Sequence, residues 1–260
     1  MDAYKTVQKA RDVNRLSTIE IINALCTGFM ELHGDRGVKD DKAIIGGIGL
    51  IDHVDPITII GIQKGYNTEE NILRNFGSSG PAGYRKAERL MKQAEKFNRP
   101  VLTLINTAGA YAAPESEENG IGEAIASMLT TMSELTVPTL AIILGEGGSG
   151  GAIALALSDE VWMLQNSIYS ILSPEGFATI LWKDSKLASE AAAIMKLTAP
   201  ELKELDVIDR IISEEDNKGA YSNQELAGHL IVEIKNTFNQ LKKMSPEERV
   251  EKRYERFRKF

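Results

Sequence analysis

The chain has 260 residues, of which 43% are hydrophobic and 26% are charged, and its formal net charge is −7. This composition is typical of a globular protein and excludes a disordered chain, and the negative charge argues against nucleic acid and anionic membranes as partners. Cys26 is the single cysteine, which excludes a disulfide within the chain and a cysteine-rich metal site. No apolar run reaches the roughly 18 residues of a membrane span, and the polar N-terminus lacks the apolar core of a signal peptide, so a cytoplasmic location is expected.

A polar helical arm is predicted over residues 1–16, and the helix after it begins at a capping box. Ser17 can accept a hydrogen bond from the backbone three residues on, and Glu20 can return one. The apolar positions then continue at helical spacing to about Leu32, where His33-Gly34-Asp35 is a stop signal. We therefore predict one helix over that whole stretch.

Short, continuously apolar strands alternate with helices through the middle of the chain. Two of them are joined by the polar segment 53–56, which predicts a β-hairpin. Beyond Pro100 each strand is followed by a helix, the pattern of βα units with buried parallel strands. The predicted strands cover 44–51, 57–63, 101–106, 139–144, 160–164 and 209–212, and the predicted helices cover 82–98, 122–135, 150–157 and 223–243.

A last helix is predicted at the C-terminus. Ser245 can cap it, and Pro246 fits its first position. The segment 249–259 within it is rich in arginine and lysine. Charge runs of this kind usually form a solvated helix face, which is our prediction, and a docking surface for an acidic partner is the alternative.

The segment Gly145–Gly151 joins a predicted buried strand to a helix of small residues, and five of its seven residues are glycine. Glycine permits a positive φ and lets backbone N–H groups approach a ligand. The start of the following helix contributes further free N–H groups and a partial positive charge. The segment is therefore predicted to stabilise negative charge on an oxygen or a phosphate.

Two nucleotide sites fit this segment poorly. The run Gly145-x-Gly147-x-x-Gly150 matches the dinucleotide fingerprint formally, but the helix after it is short and no acidic residue ends the next strand. A phosphate-binding loop needs a lysine after its last glycine, and Gly151 and Ala152 stand there instead.

Two catalytic sites also match the segment. Ser149 lies in the glycine-x-serine-x-glycine pattern of a hydrolase nucleophile elbow. A serine nucleophile needs a histidine base, and the three histidines fall near a helix end, in a hairpin turn and in the C-terminal amphipathic helix: His33, His53 and His229. An oxyanion hole needs no side-chain catalyst, and Ser149 would then merely be small.

A second loop, Asn106–Tyr111, also leaves a buried strand and is followed by a helix. Ligands of open α/β sheets bind at the carboxyl ends of the strands. Because successive βα units place these ends next to each other, we expect the two glycine loops to lie side by side.

Short motifs recur between about residues 18 and 213 in the order and with the spacing of one protein family. They are Gly34–Arg36, Asp40–Gly47, Gln63–Gly65, Asn75–Gly77, Gly83–Ala87, Gly145–Ala152, Ser173–Gly176 and Ile180–Lys183. Together they resemble the α subunit of the carboxyltransferase component of bacterial acetyl-CoA carboxylase.

This resemblance implies an α/β fold of the crotonase type, in which repeated ββα units wind into a superhelix and peripheral helices serve oligomerisation. It implies a single carboxyltransferase domain over 1–260. That domain divides into an N-terminal helical arm (1–33), a crotonase core (34–213) and C-terminal helices (220–260).

The implied activity is transfer of the carboxyl group from carboxybiotin, presented by a separate biotin carboxyl carrier protein, to acetyl-CoA. The product, malonyl-CoA, serves fatty acid biosynthesis. The implied assembly is an α2β2 heterotetramer whose β subunit holds acetyl-CoA and carries a four-cysteine zinc ribbon, and the holoenzyme adds biotin carboxylase. Zinc is therefore expected on the β subunit and not on this chain, whose one cysteine is Cys26.

By position in the motif, Gly150 and Gly151 match the glycines whose amides hold the urea oxygen of biotin. Negative charge appears on that oxygen when CO2 leaves, and the biotin anion can then take a proton from the acetyl methyl group. No side-chain base is needed on this chain. The further residues expected to bind substrate are Gly147, Gly148, Ser149, Gly109, Ala110, Tyr111, Ser173, Glu175 and Lys64, and Lys42, Arg85 and Lys86 are additional candidates for CoA or carrier contacts.

The chain departs from the family pattern mainly in one loop. Ala108, the segment 112–114, Asn119 and Ile121 replace residues usual in the family, and Ile62 stands where histidine is usual before Gln63. The loop is expected to border the substrates. Two alternatives therefore stay open, a catalytically silent structural or regulatory subunit and a subunit with a different acyl-CoA substrate.

Overall fold

The computed structural model describes residues 2–260. The strands are β1 (Thr27–Glu31), β2 (Ile44–Ile51), β3 (Asp55–Ile62), β4 (Val101–Thr107), β5 (Thr139–Gly148), β6 (Glu160–Leu164), β7 (Ile168–Ser170), β8 (Arg210–Ile212), β9 (Glu215–Asp216) and β10 (Gly219–Ala220). The helices are α1 (Ala3–Ala10), α2 (Thr18–Leu25), α3 (Thr68–Leu73), α4 (Pro81–Lys96), α5 (Pro114–Glu118), α6 (Ile121–Glu134), α7 (Ser149–Ala156), α8 (Pro174–Trp182), α9 (Ala188–Ile194), α10 (Ala199–Glu204), α11 (Asn223–Leu241) and α12 (Pro246–Phe257).

One mixed sheet runs in the order β1-β2-β3-β4-β5-β6-β8. The first three strands are antiparallel to one another, and the pairs from β3 to β8 are parallel. The predicted hairpin, the parallel strands after it and the order of strand and helix are confirmed. Parallel pairing brings the carboxyl ends of β4 and β5 to the same edge of the sheet.

Helices cover both faces of this sheet and make two separate cores. On one face, α4, α6 and α7 pack their apolar residues against the strands, with Leu90, Met128 and Leu155 fully buried. On the other face, α2 and α11 do the same around Trp162 and Leu230. A sheet buried on both faces needs strands that are apolar throughout, which explains the continuous apolar runs in the sequence.

The helix that begins at the capping box ends earlier than predicted. The box itself is confirmed, since Ser17 accepts from the Glu20 N–H and the Glu20 carboxylate accepts from the Ser17 N–H. However, α2 stops at Leu25, and the residues predicted to continue it form the edge strand β1. Gly47 on β2 explains the change: a side chain there would lie 2.2 Å from the Met30 carbonyl oxygen and 2.7 Å from the Phe29 ring, so its absence lets β1 pair closely.

The glycine segment is mostly strand and not a turn. β5 continues through Gly145 to Gly148, and its extension pairs with β4 on one side and with β7 on the other. The chain reverses direction only between Gly148 and Ser149, where α7 begins. The backbone pairing on both sides explains the extended conformation, which glycine content alone does not reveal.

The basic C-terminal segment is only in part the solvated face that we predicted. Lys252, Arg258 and Lys259 are exposed, but two arginines of the segment are buried. Arg249 and Arg253 are 6% and 1% exposed. Arg249 donates to the Thr136 carbonyl, and Arg253 donates to the Leu135 carbonyl and to the Asp159 carboxylate. These guanidinium groups bind carbonyls just beyond the C-terminal end of α6, where a helix end leaves backbone acceptors without partners. They hold α12 on the core, so they cannot form a docking surface for an acidic partner.

None of the helices formed by residues 2–260 combines the length and the hydropathy needed to span a bilayer.

Candidate functional site

The two glycine loops meet at the carboxyl ends of β4 and β5. A side chain on Gly148 would lie 2.0 Å from the carbonyl oxygen of Ala108, so these backbones are in direct contact. A side chain on Gly151 would lie 2.6 Å from the amide nitrogen of Ala110. Gly109, at φ 152°, lies between these contacts. The structure therefore brings together the loop residues that the sequence placed at one sheet edge.

Free amides line this junction. In the chain from residue 2 to residue 260, the N–H of Ala110 has no hydrogen-bond acceptor, and those of Gly150 and Gly151 have none outside α7. No side chain caps α7. The first N–H groups of a helix carry partial positive charge and favour an anion. The junction can therefore stabilise negative charge on an oxygen placed between the two loops.

Ser149 has the strained geometry of an elbow residue. Its φ is 55°, which a residue with a side chain rarely adopts, and it is exposed at the start of α7. Its hydroxyl has no hydrogen-bond partner among the described residues, and two of the three histidines have other contacts: His33 with Asp40, and His229 with the ring of Tyr221. A nucleophilic serine needs a hydrogen-bonded base, so this arrangement speaks against a serine hydrolase.

Tyr84 explains why position 151 is glycine. It is fully buried under the junction, and a side chain on Gly151 would lie 2.6 Å from its hydroxyl oxygen. This hydroxyl has no hydrogen-bond partner among residues 2–260, and burial raises its pKa. The glycine thus serves close packing as well as access to its own amide.

An ionic cluster lies against the glycine-rich end of β5, which we call the glycine strand. Glu146 is 7% exposed, and its carboxylate accepts from Lys64 Nζ at 2.7 Å and from Arg11 Nε at 2.8 Å. The other nitrogens of Arg11 bind both oxygens of Glu175, at 2.8 and 3.1 Å. Burial raises the pKa of Glu146, but the charges of Lys64 and Arg11 outweigh this and hold it below the usual 4.5. Glu146 is therefore a charged carboxylate near neutral pH.

The end of α1 and the segment that follows it also support the glycine strand. A side chain on Gly145 would lie 2.7 Å from the Ala10 carbonyl oxygen, so the segment touches the glycine strand directly. Arg15 donates to the Leu144 carbonyl at 2.6 Å. Arg11 then joins the strand to the start of α8 through Glu175. The N-terminal arm therefore fixes where the glycine strand lies.

The other residues predicted to bind substrate do not all lie at the junction of the two glycine loops. Ser173 caps α8, accepting from the Gly176 N–H at 3.1 Å, and it lines one small cleft with Gly147 and Gly148. Tyr111 lines a separate cavity. Lys64 and Glu175 bind the ionic cluster, so neither has a free charge for substrate. The additional candidate Lys86 is fully buried and holds Asp40, so it cannot contact CoA or a carrier.

Sequence reasoning missed Arg11, Glu146 and Tyr84. Glu146 carried a signal, since a charged residue inside a run of glycines needs a partner when the run is buried. Arg11 and Tyr84 carried no such signal. Arg11 contacts Glu146, 135 positions away, and Tyr84 contacts Gly151, 67 positions away. The local spacing of residue types does not predict contacts over such separations.

The fold is shared with carboxyltransferases of known structure. Transcarboxylase 12S superposes with a TM-score of 0.69 at 15% identity, over 89% of this chain and 44% of that one. The Pseudomonas malonate decarboxylase hetero-dimer superposes with a TM-score of 0.67 at 14% identity, over 85% of this chain and 88% of that one. These similarities show the crotonase-like α/β fold and confirm the predicted class.

Sequence comparison identifies the family within this class. The family model described as acetyl co-enzyme A carboxylase carboxyltransferase-like matches residues 1–260. The acetyl-coenzyme A carboxylase carboxyl transferase subunit alpha of Streptococcus uberis is 54% identical over 259 residues, 100% of this chain and 99% of the relative. That of Streptococcus pneumoniae strain Hungary19A-6 is 53% identical over 260 residues, 100% of both chains. The chain belongs to the acetyl-CoA carboxylase carboxyltransferase family, as an α-type subunit, and the predicted resemblance is confirmed.

Proposed function

We propose that this chain binds the biotin side of the carboxyl transfer. In this proposal it acts with a β subunit in an α2β2 assembly and takes the carboxyl group from carboxybiotin on the carrier protein. The acceptor is acetyl-CoA, the product is malonyl-CoA, and biotin carboxylase completes the holoenzyme. The observation that carries the proposal is the junction of two loops whose amides at Ala110, Gly150 and Gly151 lack acceptors outside α7.

The amides have a specific role in this proposal. Loss of CO2 from carboxybiotin leaves negative charge on the urea oxygen, and the biotin anion can accept the proton that acetyl-CoA loses. The N–H groups of Gly151 and Ala110, on two different loops, would donate to that oxygen, with Gly150 adjacent. Because packing holds both loops in place before substrate binds, their donors need little reorganisation, which is the condition for effective oxyanion stabilisation.

The acidic side chains around the site support a mechanism without a protein base. Glu146 and Glu175 are both held by cations, and the pKa of Glu175 is lowered chiefly by its hydrogen bonds from Arg11. A carboxylate with a lowered pKa is a weak base near neutral pH. The proton acceptor would therefore come from the substrate.

An exposed apolar surface beside the site fits a partner subunit. Ile180 and Leu181, on the helix that Ser173 caps, are 62% and 57% exposed, and Ile171 before it is 72% exposed. Grouped exposed apolar side chains often mark protein interfaces. Their position next to the glycine strand agrees with an active site completed by the β subunit.

The test of this function is malonyl-CoA-dependent carboxylation of biotin by the chain co-expressed with its β subunit. We expect activity with the complex and none with either subunit alone. A stable complex without activity would favour the silent structural subunit, and activity with another acyl-CoA alone would favour a changed substrate.

The variant Ser149→Gly separates the two catalytic sites that the glycine motif allows. Glycine adopts φ 55° without strain, so the junction should keep its geometry. We expect turnover within about threefold of the parent enzyme, because the amide of residue 149 and its neighbours remain. The measurement is the same biotin carboxylation assay. A loss of about a millionfold, the cost of removing a catalytic nucleophile, would contradict the oxyanion assignment and support the serine elbow.

A further inference from the structure

The glycine strand has one side chain that can hold it in place. Between Gly145 and Gly148 the only residue with a side chain is Glu146, and its carboxylate is bound by Lys64 and Arg11. Pairing with β4 and β7 holds the strand through its backbone alone. Any anchoring of the strand through a side chain therefore depends on the two cations that bind Glu146.

Arg11 extends from a helix that is fixed on two sides. It is the C-cap of α1. Val7 and Ala10 of this helix are buried in one cluster with Ile168 of β7 and Ala192 of α9. The helix α1 thus lies between the strand that pairs with the glycine strand and the outer helix α9. Because both contacts fix α1, they also fix the backbone position from which the arginine side chain extends.

The guanidinium of Arg11 binds two carboxylates at once. Its Nε donates to Glu146 at 2.8 Å, and its two terminal nitrogens donate to the two oxygens of Glu175 at 2.8 and 3.1 Å. The pairing with Glu175 is bidentate, which fixes its direction as well as its distance. A shift of Glu175 must therefore either break these bonds or move the guanidinium with it.

Glu175 belongs to a helix with few other anchors. It lies in the first turn of α8, and Pro174 and Ala178 are the buried residues of that helix. Ile180, one turn further on, is 62% exposed on the surface that we assign to the partner subunit. The ion pair with Arg11 therefore connects the partner-facing helix to the glycine strand.

We propose that Arg11 is a positioning residue of the oxyanion site, which makes the position of the glycine strand depend on the position of α8. Through Glu146 it holds the backbone as far as Gly148, which is in direct contact with Ala108 of the second loop. A partner subunit docked on α8 fixes that helix, and through Arg11 it fixes the strand that leads to the oxyanion donors. The effect on turnover rests on the proposed function, whereas the connection between α8 and the strand does not.

Hydrogen exchange of the full chain, followed by mass spectrometry, tests this connection. In Glu175→Ala we expect the amides of the glycine strand to exchange about fivefold faster, the effect of a pair at the upper end of the range for exposed ion pairs. Exchange in β2 should not change. Glu190→Ala is the matched control, because Glu190 also lies in the first turn of its helix, α9, and is exposed. This control should leave exchange unchanged in both strands.

Arg11→Lys separates positioning from charge compensation. Lysine keeps a positive charge beside Glu146 but offers one nitrogen in place of the planar fork. The urea midpoint should therefore stay unchanged, while the glycine strand exchanges about as fast as in Glu175→Ala. The double variant should exchange no faster than either single variant, because both changes remove the same connection. In the complex with the β subunit, each single variant should lower kcat about tenfold and leave the KM for malonyl-CoA unchanged.

Three results of the exchange measurement would overturn the positioning role: equal exchange in Glu175→Ala and Glu190→Ala, an equal rise in β2, or additive effects in the double variant. Unchanged kcat of both single variants in an active complex would overturn it as well. The exchange measurement requires neither the β subunit nor turnover. A parent complex without carboxylation activity would therefore contradict the proposed function and leave the connection between α8 and the strand standing.

Discussion

Replacing Gly151 with alanine is expected to lower turnover by about 10²–10³-fold or more, the cost of losing one oxyanion donor. The new methyl group would lie 2.6 Å from the Ala110 nitrogen and 2.6 Å from the Tyr84 hydroxyl oxygen. Both neighbours are fixed, one by the backbone and the other by burial, so the two loops must move apart. The two proposed donors, the N–H groups of residues 151 and 110, would be displaced together, and we expect the rest of the fold to stay unchanged. The measurement is biotin carboxylation by the assembled α and β subunits.

Gly150→Ala is the matched control. A methyl group there would lie 3.7 Å from the Ile125 side chain, an ordinary contact, and alanine keeps the backbone N–H. We expect turnover close to that of the parent enzyme and a stability gain of up to about 1 kcal/mol from the better helix former. Size-exclusion chromatography of both variants with the β subunit shows whether the complex is intact. Normal turnover of Gly151→Ala in an intact complex would remove the basis for the oxyanion assignment.

The second large effect is on stability, and we expect it from Arg253→Met. Arg253 and Asp159 have side-chain exposures of 1% and 5% and are 2.6 Å apart. Removing the guanidinium leaves a buried carboxylate without its cation and leaves the Met132 and Leu135 carbonyls without a donor. Breaking a buried ion pair in this way typically costs about 3–5 kcal/mol. The measurement is the free energy of unfolding from urea titration.

Lys252→Met on the same helix provides the comparison for this variant. Lys252 is 56% exposed, and its pairing with Glu248 is a surface contact one helical turn away. Such pairs contribute about 0.2–0.5 kcal/mol, so the unfolding free energy should change by no more than that. If Arg253→Met also cost less than about 1 kcal/mol, the arginines of α12 would not be holding that helix on the core.

The central part of the fold could be predicted from local pattern. The strands β2, β4 and β6 and the helix α6 lie within one or two residues of their predicted bounds, and α12 begins at its predicted first residue, Pro246. Their apolar runs are continuous because helices bury both faces of the sheet, so each strand could be recognised without knowing its neighbours. Capping residues then placed the helix starts, as at Ser17 and Ser245.

The errors came from segments whose conformation depends on another part of the chain. Residues 27–31 have a helical pattern but pair with the glycine-rich β2, and the glycine segment extends because β4 and β7 pair with it on both sides. The arginines of 249–256 have the pattern of a solvated helix face, but the C-terminal end of α6 lies against them and supplies carbonyl acceptors. In each case a tertiary hydrogen bond outweighed a local preference worth less than about 1 kcal/mol per residue.

For the glycine segment, the sequence by itself predicted a backbone site for negative charge, with no side chain suited to act as a base. It also placed the second loop at the same sheet edge. Only the tertiary structure decided which amides lack acceptors, and that Lys64 and Arg11 both bind the buried carboxylate of Glu146 while Arg11 also binds Glu175. The physical reason is that free N–H groups and ion pairs depend on which distant segments come into contact. Glycine content and helix starts depend only on residues adjacent in the sequence.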